Sequence, residues 1–148
     1  MPQVDALWIK RAHRGPMDRV ERAELVAGRG VRGSADQGGR RQVSIISQEA
    51  WDAAVEQLGV AVDPSARRAN MMISGVDLAD SRGKLLRIGP ALIRILGEVR
   101  PCERMDEAEE GLRNALKPHW RGGVFGEILE GGTIAVGDDV AIAEDIRP

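Results

Sequence analysis

Cys102 is the only cysteine in this 148-residue chain, and it stands in the polar stretch Arg100-Pro101-Cys102-Glu103-Arg104-Met105. A lone thiol cannot close an intramolecular disulfide, so Cys102 is either packing or chemistry. Arginines at 100 and 104, and a helix expected a few residues on, favour the thiolate, the form that attacks electrophiles and binds metals. Glu103 and Asp106 oppose them. Free cysteine also packs as a small hydrophobe, and this stretch alone leaves both readings open. Further arginines in the segments 40–41 and 67–68 and at 121 are candidates to join the thiol through loops.

A second candidate is Gly28-Arg29-Gly30-Val31-Arg32-Gly33, which matches G-x-G-x-x-G, with Asp52 near the spacing of a ribose-binding acid. That motif binds a dinucleotide only between a strand and a helix. Here Ser34-Ala35-Asp36-Gln37-Gly38-Gly39 follows, with no apolar period, so a Rossmann fold is rejected. The segment still sets Arg29, Arg32, Arg40 and Arg41 against one acid, Asp36. Glycine-rich backbone with arginines suits an anion such as phosphate, or forms a solvated loop. His13 and His119 have no metal-ligand spacing.

The elements that must position these residues are short. Val4 to Lys10 reads as a strand and Val20 to Val26 as an indistinct one. Gln42 to Ile46 reads as a buried strand. Ser47 then caps a helix over about 48–58, whose apolar face is Ala50, Trp51, Ala54, Val55 and Leu58, with Gly59 as its stop. Asp63-Pro64 opens a short turn before the strand-like Asn70 to Ser74. Leu85 to Ile88 and Ala91 to Leu96 form a hairpin that delivers the chain to Cys102. Asp106 caps a second helix that ends at Pro118. Val124 to Glu130 and Thr133 to Val136 read as a hairpin, with a last strand at Val140 to Ile142. About eight short strands and two main helices, without a βαβ rhythm, predict a mainly β (α+β) protein. The expected form is a closed or half-closed β-barrel decorated with helices. Trp51, Leu58, Ile45, Ile46, Ile88, Ile93, Leu112 and Ile128 are expected in the core.

The length suits one domain over residues 1–148. A net charge of −2, no Tyr and one Phe argue against a nucleic-acid binder. No stretch has the apolar length of a membrane span and no leader pattern opens the chain, so a cytoplasmic, reducing setting is expected.

Taken together, several short segments resemble a stand-alone MOSC domain, the domain named for the C-terminal part of molybdenum-cofactor sulfurase. They are Gly30-Val31-Arg32-Gly33, Arg41-Gln42-Val43, Arg68-Ala69-Asn70, Ser74-Gly75-Val76-Asp77-Leu78, Pro101-Cys102 and Arg121-Gly122-Gly123-Val124-Phe125 with Gly137-Asp138. The resemblance runs from about residue 7 to residue 143 and implies a β-barrel. It implies that Cys102 carries sulfur as a persulfide, or ligates molybdenum in a pterin cofactor. It further implies cofactor contacts from Arg68 and Asn70, with Ser47 beside them. Arg41 and Arg104 join this set because an arginine's planar fork suits the phosphate and ring edge of molybdopterin. Where relatives often read Gly-Asp, this chain reads Gly33-Ser34. The implied activity is sulfur transfer or a molybdenum-cofactor-dependent reduction, with a cysteine desulfurase or a molybdoenzyme as partner. The alternative is a non-catalytic module that binds a pterin, an anion or a partner protein.

Overall fold

The computed structural model describes residues 1–35 and 37–143. Among them are eleven strands: β1 (Gln3–Lys10), β2 (Met17–Val20), β3 (Arg22–Val26), β4 (Gly30–Val31), β5 (Val43–Ser47), β6 (Met71–Ser74), β7 (Leu85–Ile88), β8 (Ala91–Glu98), β9 (Val124–Glu130), β10 (Gly132–Ala135) and β11 (Val140–Ala143). Three α-helices accompany them: α1 (Gln48–Leu58), α2 (Glu103–Ala108) and α3 (Leu112–Leu116).

Eight strands form one mixed sheet in the order β11-β7-β8-β9-β5-β6-β1-β2, and β10-β3-β4 form a second. The one parallel pair in this order is β5 with β6, joined by α1 and a 3-10 turn at Pro64–Arg67. Alternating residues of the large sheet point inward and meet Leu25, Val31 and Ile134 of the small sheet, which makes one apolar core. A second core lies between α1 and the α2–α3 pair, built from Trp51, Ala54, Met105, Leu112, Ala115 and Leu116.

The expected barrel is not confirmed, because no sheet closes among the described residues. The large sheet curls until the start of β1 meets the turn before β11, through Val4 N–H to the Asp138 carbonyl (3.0 Å) and Gly137 N–H to the Val4 carbonyl (2.8 Å). Only a single bridge, Gln3 with Asp139, follows. The ladder stops there because Leu7 to Lys10 of β1 already pair with β2.

Three further expectations are corrected. The span 20–26 is two strands broken at Glu21. The expected hairpin after Val124 does not form. Gly131 and Gly132 carry the chain across to the other sheet, where β10 pairs with β3. The second helix is two helices, because Gly111 takes a left-handed φ of 91° between them. Asp106 still caps, at a distance: its carboxylate accepts the N–H groups of Gly111 (3.2 Å) and Arg113 (3.0 Å).

The β7–β8 hairpin and the Ser47 cap appear as expected, with Ser47 Oγ accepting the Ala50 N–H at 3.2 Å. Of the residues expected in the core, Leu58 alone is half-buried. A Leu58→Ala protein should therefore lose about 1–2 kcal/mol in a urea melt, below the usual range for a fully enclosed leucine.

Candidate functional site

A cavity of about 490 Å3 opens where the C-terminal ends of β5 and β8, the 3-10 turn before β6 and the start of α2 come together. Five of the six residues singled out from the sequence line it: Arg41, Arg68, Asn70, Cys102 and Arg104. Ser47 does not. It is buried at the head of α1, bonded to Ala50 N and Glu49, and borders a separate hollow with Gly75, His119 and Arg121. Arg100 also stays away, facing solvent beside Glu98.

Cys102 is half-buried and occupies the N-cap position of α2 in an extended conformation, with no side-chain capping bond. It reaches the cavity because β8 ends at Glu98 and the short link through buried Pro101 turns the chain inward.

The two neighbouring arginines of the 3-10 turn diverge. Arg67 ends the turn and points inward. Arg68 has φ 63°, ψ 34°, a left-handed conformation that costs a non-glycine residue about 1–2 kcal/mol, and this sends its side chain elsewhere on the cavity wall. Its Nη2 is buried without a hydrogen-bond partner. Buried polar atoms are normally satisfied, so this one is a donor waiting for an acceptor.

Asp63 fixes the start of this turn: its carboxylate accepts the Ser65 N–H at 2.9 Å, and that bond holds its pKa below the ordinary range. A depressed carboxylate stabilises the fold above its unfolded pKa of about 4, and the contribution is lost as the pH falls through the folded value. Asp63→Ala should cost about 0.5–1 kcal/mol at pH 7, and Asp63→Asn less, as N-cap substitutions do. The same melts at acid pH should bring parent and Asp63→Ala together.

The sequence offers Arg67 only as one of the two arginines of the 67–68 segment that are candidates to join the thiol, and it is the most buried charge of the site. It is 9% exposed, donates from Nε to the Gly122 carbonyl (2.8 Å) and from Nη2 to the Val99 carbonyl (2.8 Å), and lays Nη1 3.9 Å from Met105 Sδ. All three partners are uncharged. Burial lowers its pKa from the ordinary arginine value; charge on Cys102 opposes this and Arg41 reinforces it. The sequence signal is the Arg67-Arg68 pair that ends the short turn opened by Asp63-Pro64, and only the fold separates one buried arginine from one less buried on the same cavity.

Asn70 is largely committed to the scaffold. Its Oδ1 accepts the Ser44 N–H (3.0 Å), and its Nδ2 lies 3.4 Å from Ser34 Oγ. Ser34 Oγ in turn accepts the Lys10 N–H at 3.2 Å, so the serine that stands where relatives often carry an aspartate ties the glycine-rich loop to β1 and to Asn70. Arg41 lies over the Phe125 ring, 4.9 Å from its centroid.

Among the described residues the cavity lining carries Lys10, Arg14, Arg41, Arg67, Arg68 and Arg104 and one acid, Glu107. Its back wall is apolar, from Ile45, Ile46, Val99 and Val124. Among the described residues no group of three or more His, Cys, Asp or Glu side chains is arranged to hold a metal ion. An arginine-rich wall with an orphaned donor, a soft sulfur atom and a volume in the usual small-molecule range of about 300–1,000 Å3 fits a phosphorylated pterin bearing a metal.

The model of the MOSC domain family matches residues 11–141, and the chain belongs to that family, which is linked to molybdenum-cofactor binding. No curated protein matches the chain at a significant level. Solved structures share the fold. YuaD from Bacillus subtilis superposes with a TM-score of 0.77 at 21% identity, covering 95% of this chain and 94% of that one. YiiM from Geobacillus stearothermophilus gives 0.78 at 16%, covering 97% and 76%. YiiM from Escherichia coli gives 0.71 at 15%, covering 99% and 72%. Among the described residues no helix is long and apolar enough to cross a membrane.

Proposed function

We propose that this chain handles sulfur or pterin-bound molybdenum at Cys102, carrying sulfur as a persulfide or ligating the metal, in a sulfur transfer or a molybdenum-dependent reduction. The observation that supports this reading is a half-buried thiol sharing one cavity with Arg41, Arg67, Arg68 and Arg104, none of which forms an ion pair among the described residues. Arg68 and Arg41 would hold a phosphate, Arg104 would flank the ring system, and Asn70 would offer its one uncommitted amide hydrogen. Arg67 would tie the link that leads to Cys102 to the loop before β9, through the Val99 and Gly122 carbonyls. When bound, the cofactor supplies a redox-active metal and its own sulfur ligands. A cysteine desulfurase or a molybdoenzyme is the partner that such a carrier requires.

The test is to purify the protein from a host that synthesises the cofactor, and to measure molybdenum, pterin fluorescence and the mass of the Cys102 peptide. Pterin with metal, or a sulfur atom added to Cys102, is expected. A protein with neither, even after incubation with a desulfurase and cysteine, would be a binding module without this chemistry. Arg68→Gln should lower pterin retention about ten- to a hundred-fold, the scale of a lost hydrogen bond to a charged group.

A further inference from the structure

The charge around Cys102 is more than a pterin phosphate needs, and its placement bears on where sulfur comes from. Arg67 is nine-tenths buried, lines the cavity and spends its hydrogen bonds on two carbonyls and a thioether. Among the described residues no carboxylate offsets it. Arg68, which lines the same cavity, carries a buried, unpartnered Nη2. Arg67 lies close enough to Cys102 for their charges to interact. Among the described residues the one acid of the lining, Glu107, is exposed. A buried cation without an acid is costly, and the cost is relieved when an anion enters.

We propose that this cavity admits a small sulfur-bearing oxyanion of the thiosulfate class and that Cys102 takes its outer sulfur atom. This rests on the sulfur-handling reading above and names its donor. The Cys102 thiolate attacks the outer sulfur of thiosulfate. The sulfur–sulfur bond of the donor breaks, its electron pair leaves with sulfite, and a new sulfur–sulfur bond leaves Cys102 as a persulfide anion. Three negative charges enter the step, one on the thiolate and two on the donor, and three leave it. No outside oxidant is required, because the donor's own sulfur–sulfur bond carries the oxidation level.

Such a step is slow in water because two anions must meet, and the leaving sulfite is a dianion. Both obstacles call for fixed positive charge around the thiol. Arg67 supplies it without reorganising, since its guanidinium is already held at 2.8 Å by two backbone carbonyls. Arg68 offers the unsatisfied hydrogen-bond donor. Exposed Arg41, at the rim, raises the local concentration of the anion.

The experiment loads reduced full-length protein with thiosulfate or, separately, with inorganic polysulfide. It reads the mass of the Cys102 peptide and the sulfite released. One added sulfur atom and one sulfite per protein are expected with thiosulfate. Arg41→Gln should slow loading about ten-fold with a flattened dependence on salt, and Arg67→Met at least as much, while loading by polysulfide, an anion that releases no sulfite dianion, should slow less in both. Arg41 is exposed, so its variant remains informative if Arg67→Met folds poorly. Loading by polysulfide but not by thiosulfate overturns the donor proposal and leaves the sulfur-handling reading standing. Loading by neither overturns the donor proposal and the persulfide form of that reading, and leaves molybdenum ligation at Cys102 to the metal and pterin measurement above. Thiosulfate loading that is equally fast in parent, Arg41→Gln and Arg67→Met overturns the role given to the arginines.

Discussion

Cys102→Ser is expected to fold at least as stably as the parent and to accept no sulfur. The two halves of that result have one origin. Cys102 sits at the N-cap of α2 with φ −123° and ψ −178°, and its carbonyl accepts the Met105 N–H at 3.0 Å, yet its side chain caps nothing. Serine, threonine, aspartate and asparagine are the residues that stabilise this position, because a side-chain oxygen can take the exposed amides of the first turn. A serine at 102 can reach the N–H of Arg104 or Met105, and a gain of about 0.5–1 kcal/mol should appear in a urea melt. The hydroxyl is a poor nucleophile without a base and a poor ligand for a soft metal, so sulfur loading and molybdenum retention should both vanish. A residue that is suboptimal for the helix it starts, facing a cationic cavity, is what a functional constraint produces. If Cys102→Ser still retained metal and pterin at the parent level, the thiol would be a bystander and the arginines alone would define the site.

Local rules are enough wherever neighbours in the chain decide the structure. The Ser47 cap, the Gly59 stop in left-handed conformation and the tight β7–β8 turn are all legible, because each depends on a few consecutive residues. The strand at Val124 is legible too, but its partner is not. Gly131-Gly132 looks like a hairpin turn, whereas here it is a corner between sheets, a choice made by packing of Gly131 against the Leu25 carbonyl. The site divides in the same way. Arg41, Arg68, Asn70, Cys102 and Arg104 are legible as candidates from residue type and resemblance. Arg67 is legible only as one of a pair, since adjacent arginines look alike until the left-handed Arg68 separates their directions. Resemblance puts Ser47 at the cofactor, but the same oxygen that caps α1 points it away from the cavity. Ser34 reads as a departure from the family pattern, and its hydroxyl proves to join three segments that no spacing rule connects.

The largest loss of stability should come from Gly123→Ala, at the loop that closes the back of the cavity. Gly123 has φ 98°, and an added Cβ would lie 2.9 Å from Ile46 Cγ2 and closer still to the Ile45 carbonyl oxygen. The obstacle on that side is strand backbone, which cannot swing aside as a flexible side chain can. The left-handed backbone adds about 1–2 kcal/mol and overpacking about 1–3 kcal/mol, so a total of about 2–5 kcal/mol is expected. Small proteins are stable by only about 5–15 kcal/mol, and the loss should be plain in a urea melt. Gly28→Ala is the control. Gly28 also has a left-handed φ, 72°, but nothing lies within 4 Å of the position its added methyl group would take, so only the backbone cost should appear. The difference between the two variants isolates the steric contribution. The damage should also reach the thiol, because the Gly123 carbonyl accepts the Val99 N–H at 2.9 Å and Gly123 adjoins Gly122, whose carbonyl holds Arg67. Sulfur loading of Cys102 should therefore fall in Gly123→Ala at temperatures where circular dichroism still reports a folded protein, and should remain at the parent level in Gly28→Ala. Equal stability of the two alanine variants would mean that β5 yields to the methyl group, and that the Val99–Gly122–Arg67 connection is looser than its hydrogen bonds indicate.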